Sequence, residues 1–184
     1  YLRKYPEARI HMEVDNTREL LLRLDEGEID FALVEGFFKK SEYESQVYSV
    51  ENYIAVCSPD YQFREEPVSV EDLFQERLLL REEGSGTREV LERYLSAKNL
   101  SLGDFRKVME AGSLQTIKEL TKAGCGITFL YEVAVRRELA DGVLKRIPLE
   151  DFHISHEFAF IWRRGSIYAD RYRELFRRFS PAGI

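Results

Sequence analysis

The chain is short of several residue types, and each shortage narrows what it can do. Its 184 residues include two cysteines, five prolines, three histidines and one tryptophan. No apolar run approaches the roughly 20 residues of a membrane-spanning helix, so no membrane partner is expected. Basic charge is also in deficit: 27 Lys and Arg face 33 Asp and Glu, a formal net charge of −6. A domain that grips nucleic acid unaided carries a basic surplus, which argues against direct DNA binding by this stretch. Cys57 and Cys125 lie in apolar contexts without metal-ligand spacing. Reduced, buried thiols fit a cytoplasmic protein, with a lone disulfide as the alternative. His153 and His156 have no third His or Cys nearby, so no metal site is expected. Gly-x-Ser-x-Gly, His-Glu-x-x-His, a P-loop and a complete Gly-x-Gly-x-x-Gly are all missing. Neither a cofactor nor an enzymatic activity is therefore expected.

What is present is a regular alternation. An apolar share of 44% is enough to fill the core of one domain or two small lobes. Residues 8–14 alternate apolar and polar, predicting a strand with one covered face. Asp15-Asn16-Thr17 offers cap residues to a helix with Leu20, Leu21 and Leu24 on one face, and Gly27 ends it before a buried strand at 29–34. Extended stretches follow at 47–50 and 53–57, then a short helix capped by Ser69 and a buried strand at 78–80. Gly84-Ser85-Gly86-Thr87 opens a helix whose apolar face is Val90, Leu91, Tyr94 and Leu95. After a strand at 105–111, Gly112-Ser113 opens a helix carrying Ile117 and Leu120. Residues 127–130 form a strand, a helix runs to Ala140, and strands follow at 143–147 and 158–162. The closing helix sets Tyr168, Tyr172, Leu175, Phe176 and Phe179 on one face, and Trp162 reads as core. Strands alternating with helices predict an α/β architecture with helices on both sheet faces.

Four stretches carry a resemblance. They are Tyr1-x-x-x-Tyr5-Pro6; Glu19-Leu20-Leu21 with Leu24, Gly27, Ile29, Asp30, Phe31 and Ala32; Asp72-Leu73 with Leu79 and the run Arg81 to Arg88; and Ala123-Gly124-Cys125-Gly126-Ile127. In that order and spacing they resemble the effector domain of LysR-type bacterial transcription regulators. The resemblance implies a two-lobed, periplasmic-binding-protein-like α/β fold, each lobe a mixed, mostly parallel sheet flanked by helices. Lobe one would hold 1–57 with 159–184, and lobe two 58–158, joined by a strand ending near Cys57 and another running from 156 to 163. A small-molecule effector would sit between the lobes. DNA would be bound only by a winged helix-turn-helix upstream of this stretch, and by the resemblance the effector domain's own first strand and most of its first helix would be missing from it as well. The family further implies a homodimer or tetramer, with contacts through 8–14 and 131–140. Tyr131 departs from the family, many of whose members have Pro there. A transporter's solute-binding protein and an enzyme built on the same lobes are the alternatives.

Three polar turns between a strand and a helix suit such a site: Asn16-Thr17, Ser85-Gly86-Thr87, and Ser113-Leu114-Gln115. Helix starts expose unpaired N–H groups and a partial positive charge, and small residues let a ligand reach them. Several such starts favour an anionic ligand. For any one turn alone, capping is the better reading; the resemblance reverses that for Thr17, Ser85 and Thr87. Arg81 and Arg88 could add counter-charge or simply pair with Glu82 or Glu83. Glu35, ending a strand, and Ser155, preceding the returning crossover, complete the candidate ligand-binding set, with His156 beside it. His11 is expected at the surface.

Overall fold

A computed structural model describes residues 1–180. Residues 181–184, placed in lobe one by the sequence, lie outside the described residues. The described residues pack as two compact units, 1–50 with 157–180, and Glu51–His156.

The second unit is organised around β3 (Arg77–Arg81), whose Leu78, Leu79 and Leu80 are all buried. It pairs in parallel with β4 (Lys107–Ala111), in a register running from Arg77 opposite Lys107 to Arg81 opposite Ala111. On its other side a parallel bridge, Leu78 to Ile127, leads into β5 (Thr128–Tyr131). The Leu79 N–H donates to the Ile127 carbonyl at 2.8 Å, and the Thr128 hydroxyl to the Leu79 carbonyl at 2.7 Å. Gly126 makes this seam possible, because a Cβ there would stand 2.4 Å from the Arg77 carbonyl oxygen. The far half of β2 (Tyr43–Cys57) pairs antiparallel with β5, Tyr53 opposite Tyr131, and its end pairs with the two-residue β6 (Lys145–Arg146). The order across this unit is therefore β4-β3-β5-β2-β6. Helices α2 (Gly86–Ala97), α3 (Leu114–Lys122) and α4 (Glu132–Ala140) follow β3, β4 and β5, so all three begin at the carboxyl edge of the parallel strands. Ile54, Val56, Leu79, Ile117, Leu130, Val135 and Leu144 form the core between them.

In the first unit, β1 (Ala32–Val34) pairs antiparallel with β7 (Ile154–Arg163), Ala32 opposite Ile161, and β7 lies beside β2. Alternation along these strands divides two clusters. Leu24 of α1 (Thr17–Glu26) packs with Ala32, Val34 and Ile161, while α5 (Ala169–Phe179) lays Tyr172 against Phe160 and Trp162. Gly27 ends α1 in the left-handed region at φ 77°, with its N–H on the carbonyls of Arg23 and Leu24.

The structure corrects several expectations. Residues 8–14 form no strand, and the row they were expected to cover is open: Ile10, Met12 and Val14 are 55%, 79% and 88% exposed. Alternation specifies a strand only where an edge is available to pair with it. Parallel pairing, expected to dominate both lobes, is confined among the described pairs to β3 with β4 and to the Leu78–Ile127 bridge. The units divide ahead of the expected boundaries, because Tyr53 to Val56 pair with β5 and so pack with the second unit. Ser69 does not cap the short 3-10 helix Glu71–Gln75; the Asp72 carboxylate reaches back to the Val68 and Ser69 N–H groups instead.

Candidate effector-binding site

The turn from β3 into α2 is closed by the Ser85 N–H donating to the Glu82 carbonyl at 3.2 Å, with Gly84 at φ 91° where glycine is favoured. Ser85 is the N-cap, and its carbonyl accepts the first helical bond from Glu89 N–H at 3.0 Å. Its hydroxyl does not cap. The residue is 2% exposed, and Oγ has no hydrogen-bond partner among the described residues. A buried hydroxyl left unsatisfied costs on the order of 1–3 kcal/mol. Gly86 and Thr87, both buried, form the first turn, where an α-helix leaves its N–H groups without intrahelical acceptors.

The register of β3 with β4 puts the start of α3 on the same edge, but its chemistry differs. Ser113 is exposed, and its Oγ accepts from Thr116 N–H at 3.3 Å, an ordinary cap. Leu114 leans on the core, and Gln115 donates to Glu119 at 2.6 Å. Ser155 is exposed on β7 and lines a cavity of about 340 Å³ with Asn52, Tyr53, Phe152 and His153. In the first unit, Asn16 is an N-cap that accepts from Glu19 N–H at 3.1 Å, Thr17 is buried behind it, and Glu35 is half-buried just after β1. So Ser85, Gly86 and Thr87 share an edge with Ser113, Leu114 and Gln115, whereas Asn16, Thr17 and Glu35 belong to the other unit.

Neither arginine is an idle counter-charge. Arg81 grips Glu82 through two bonds of 2.8 and 3.0 Å, as one of its alternatives foresaw. Arg88 bridges Glu92 at 2.7 Å and Glu110 at 2.6 Å, partners other than the expected Glu82 or Glu83. Cys57 is fully buried, and burial pushes its thiol up to about 11. His11 is exposed beside Glu13.

One residue at this edge escaped the sequence. Tyr53, 2% exposed, donates its hydroxyl to the Thr87 carbonyl at 2.7 Å, and its ring packs against Phe129, Tyr131 and Phe152. In the sequence it is one apolar member of a strand, and its partner lies 34 positions away, so no local pattern announces the contact.

Residues 1–180 match the LysR substrate binding domain family. The chain belongs to that family. Among relatives of this LysR domain, the uncharacterized HTH-type transcriptional regulator MJ0300 of Methanocaldococcus jannaschii is 27% identical over 155 residues, covering 84% of the chain and 52% of the relative. The chain thus spans about half the length of the curated relatives it matches. The regulatory domain of CcmR from Synechocystis PCC6803, in complex with 2-PG, superposes with a TM-score of 0.81 at 20% identity, covering 98% of this chain and 88% of that one. The sulfate-bound E204G regulatory domain of OxyR2 from Vibrio vulnificus gives 0.74 at 24% identity, covering 95% and 82%. These likenesses show the α/β fold of LysR regulatory domains, and the family favours a regulator over a transport receptor.

Proposed function

We propose that this LysR domain senses a small anion, and that the start of α2 is where the anion is bound. The observation that carries the reading is the Ser85 hydroxyl: buried, without a partner among the described residues, and placed at the N-cap of a twelve-residue helix. A bound oxyanion would accept from that hydroxyl and from first-turn amides, relieving the unsatisfied group while meeting the positive end of the helix. The 2-PG of CcmR and the sulfate of OxyR2 are consistent with this chemistry in two proteins of the same fold. Ser113, Leu114 and Gln115 border the same edge. Ser155, in the same unit, is a secondary candidate for orienting the rest of the effector, and Asn16, Thr17 and Glu35 belong to the first unit.

In the whole protein, anion binding changes the grip of an upstream helix-turn-helix on DNA, within a homodimer or tetramer in the cytoplasm, and the domain performs no catalysis. The exposed Ile10, Met12 and Val14 row and α4 are the expected contacts between copies. Thermal melting against a panel of sulfate, phosphate and small carboxylates, with neutral analogues as controls, tests the binding reading. A rise in Tm with at least one anion and none with its neutral analogue is expected. Flat melts across the panel contradict it.

A further inference from the structure

We infer that Tyr53 is the positioning residue of the anion site, fixing the first turn of α2 so that its amides are presented to the ligand. This rests on the reading of the α2 start as the place where the anion binds. The Thr87 carbonyl that accepts the Tyr53 hydroxyl, at 2.7 Å, belongs to the peptide whose other end is the Arg88 N–H. That N–H lies in the first turn, among the groups a helix start presents outward. A hydrogen bond at the carbonyl end polarises the peptide and strengthens its N–H as a donor, on the order of 10–30% per bond. Its hydroxyl proton is already given to the Thr87 carbonyl, so Tyr53 acts through the helix and not as a donor to the ligand.

The hydroxyl's position is itself determined by packing. The Tyr53 ring lies 5.1 Å from Tyr131, 6.0 Å from Phe152 and 6.5 Å from Phe129, centroid to centroid. Rings at these separations hold one another in defined orientations. Tyr53 also pairs with Tyr131 in the β2–β5 register, and Tyr131 is the N-cap of α4. The anchor of α2 is thereby tied to the strand edge from which the neighbouring helix starts.

Calorimetric titration of sulfate into the chain, its Tyr53→Phe, Ser85→Ala and Val135→Ala variants tests this. Val135 is a fully buried core residue of α4, so its truncation reports the effect of lost stability alone. Tyr53→Phe, which keeps the ring, is expected to weaken sulfate about threefold to tenfold, the range for one net hydrogen bond. Val135→Ala is expected to lower the urea midpoint at least as far while leaving sulfate affinity intact. In the free Tyr53→Phe variant, the Arg88 amide proton should also move upfield. Wild-type affinity in Tyr53→Phe, with Ser85→Ala weakened, overturns the role of Tyr53 and leaves the anion site standing. So does a loss in Val135→Ala as large as that in Tyr53→Phe. No sulfate binding by the wild type, or undiminished binding by Ser85→Ala, overturns the anion reading and this inference with it.

Discussion

Helices α2 and α3 leave neighbouring parallel strands at one edge of one unit, and each begins with a serine, yet the two serines are not alike. Ser113 stands in water and caps its own helix through Thr116 N–H. Ser85 is buried, and its hydroxyl bonds nothing among the described residues. A helix start whose cap is already made has one fewer reason to hold a ligand. One with a buried hydroxyl unused carries a cost that a ligand's acceptor, an ordered water or removal of the hydroxyl relieves. The second helix is also held differently. Tyr53 fastens the α2 start, and Tyr94 and Lys98 near its far end bind Asp151, whereas α3 is fastened by Lys118 to Glu138 and to the Ala134 carbonyl of α4.

The comparison can be broken most severely at the seam that seats β3, the strand leading into α2, against the segment entering β5. Gly126→Ala puts a Cβ 2.4 Å from the Arg77 carbonyl oxygen, where backbone would have to move. A loss of about 3 kcal/mol or more in urea unfolding is expected.

Next comes the anchor of α2. Burial alone would raise the Asp151 carboxyl, but hydrogen bonds from Lys98, Tyr94 and the Val70 N–H outweigh it and hold the group below its usual range. Because the folded value is depressed, the stabilisation is present above the unfolded value, about pH 4, and is lost as pH falls through the folded one. Asp151→Ala should cost about 1–2 kcal/mol at pH 7, and the gap from wild type should close in melts run below about pH 4.

The smallest effects discriminate best. Ser113→Ala should lose about 1 kcal/mol, the worth of a cap. Ser85→Ala should leave the urea midpoint unchanged or raise it, since it deletes an unsatisfied buried hydroxyl. Equal losses in the two variants would mean that Ser85 is an ordinary cap after all.

The sequence carried much of the fold because periodicity and turn chemistry agree. Leu78 to Leu80, the Gly84–Thr87 turn and the apolar face of α2 all lie where the pattern of residues puts them. It failed at 8–14, where alternation was read as pairing although no neighbour's edge can be seen in a pattern. For the site, residue types located three helix starts but could not rank them. Asn16, Ser113 and Ser85 are all good caps by type, and only the burial and partners of each oxygen separate them. Tyr53 was illegible for the same reason: its function lies in a hydroxyl meeting a carbonyl across the fold. Of the two thiols read as buried, Cys57 is and Cys125 is only half so.

The most direct test follows backbone amide shifts by NMR as sulfate is added to the wild-type chain. If the α2 start binds the anion, the amides of Gly86, Thr87 and Arg88 move most and saturate together, while those of Leu114, Gln115 and Thr116 move little. Shifts of equal size at both helix starts, or larger ones at α3, would contradict the account.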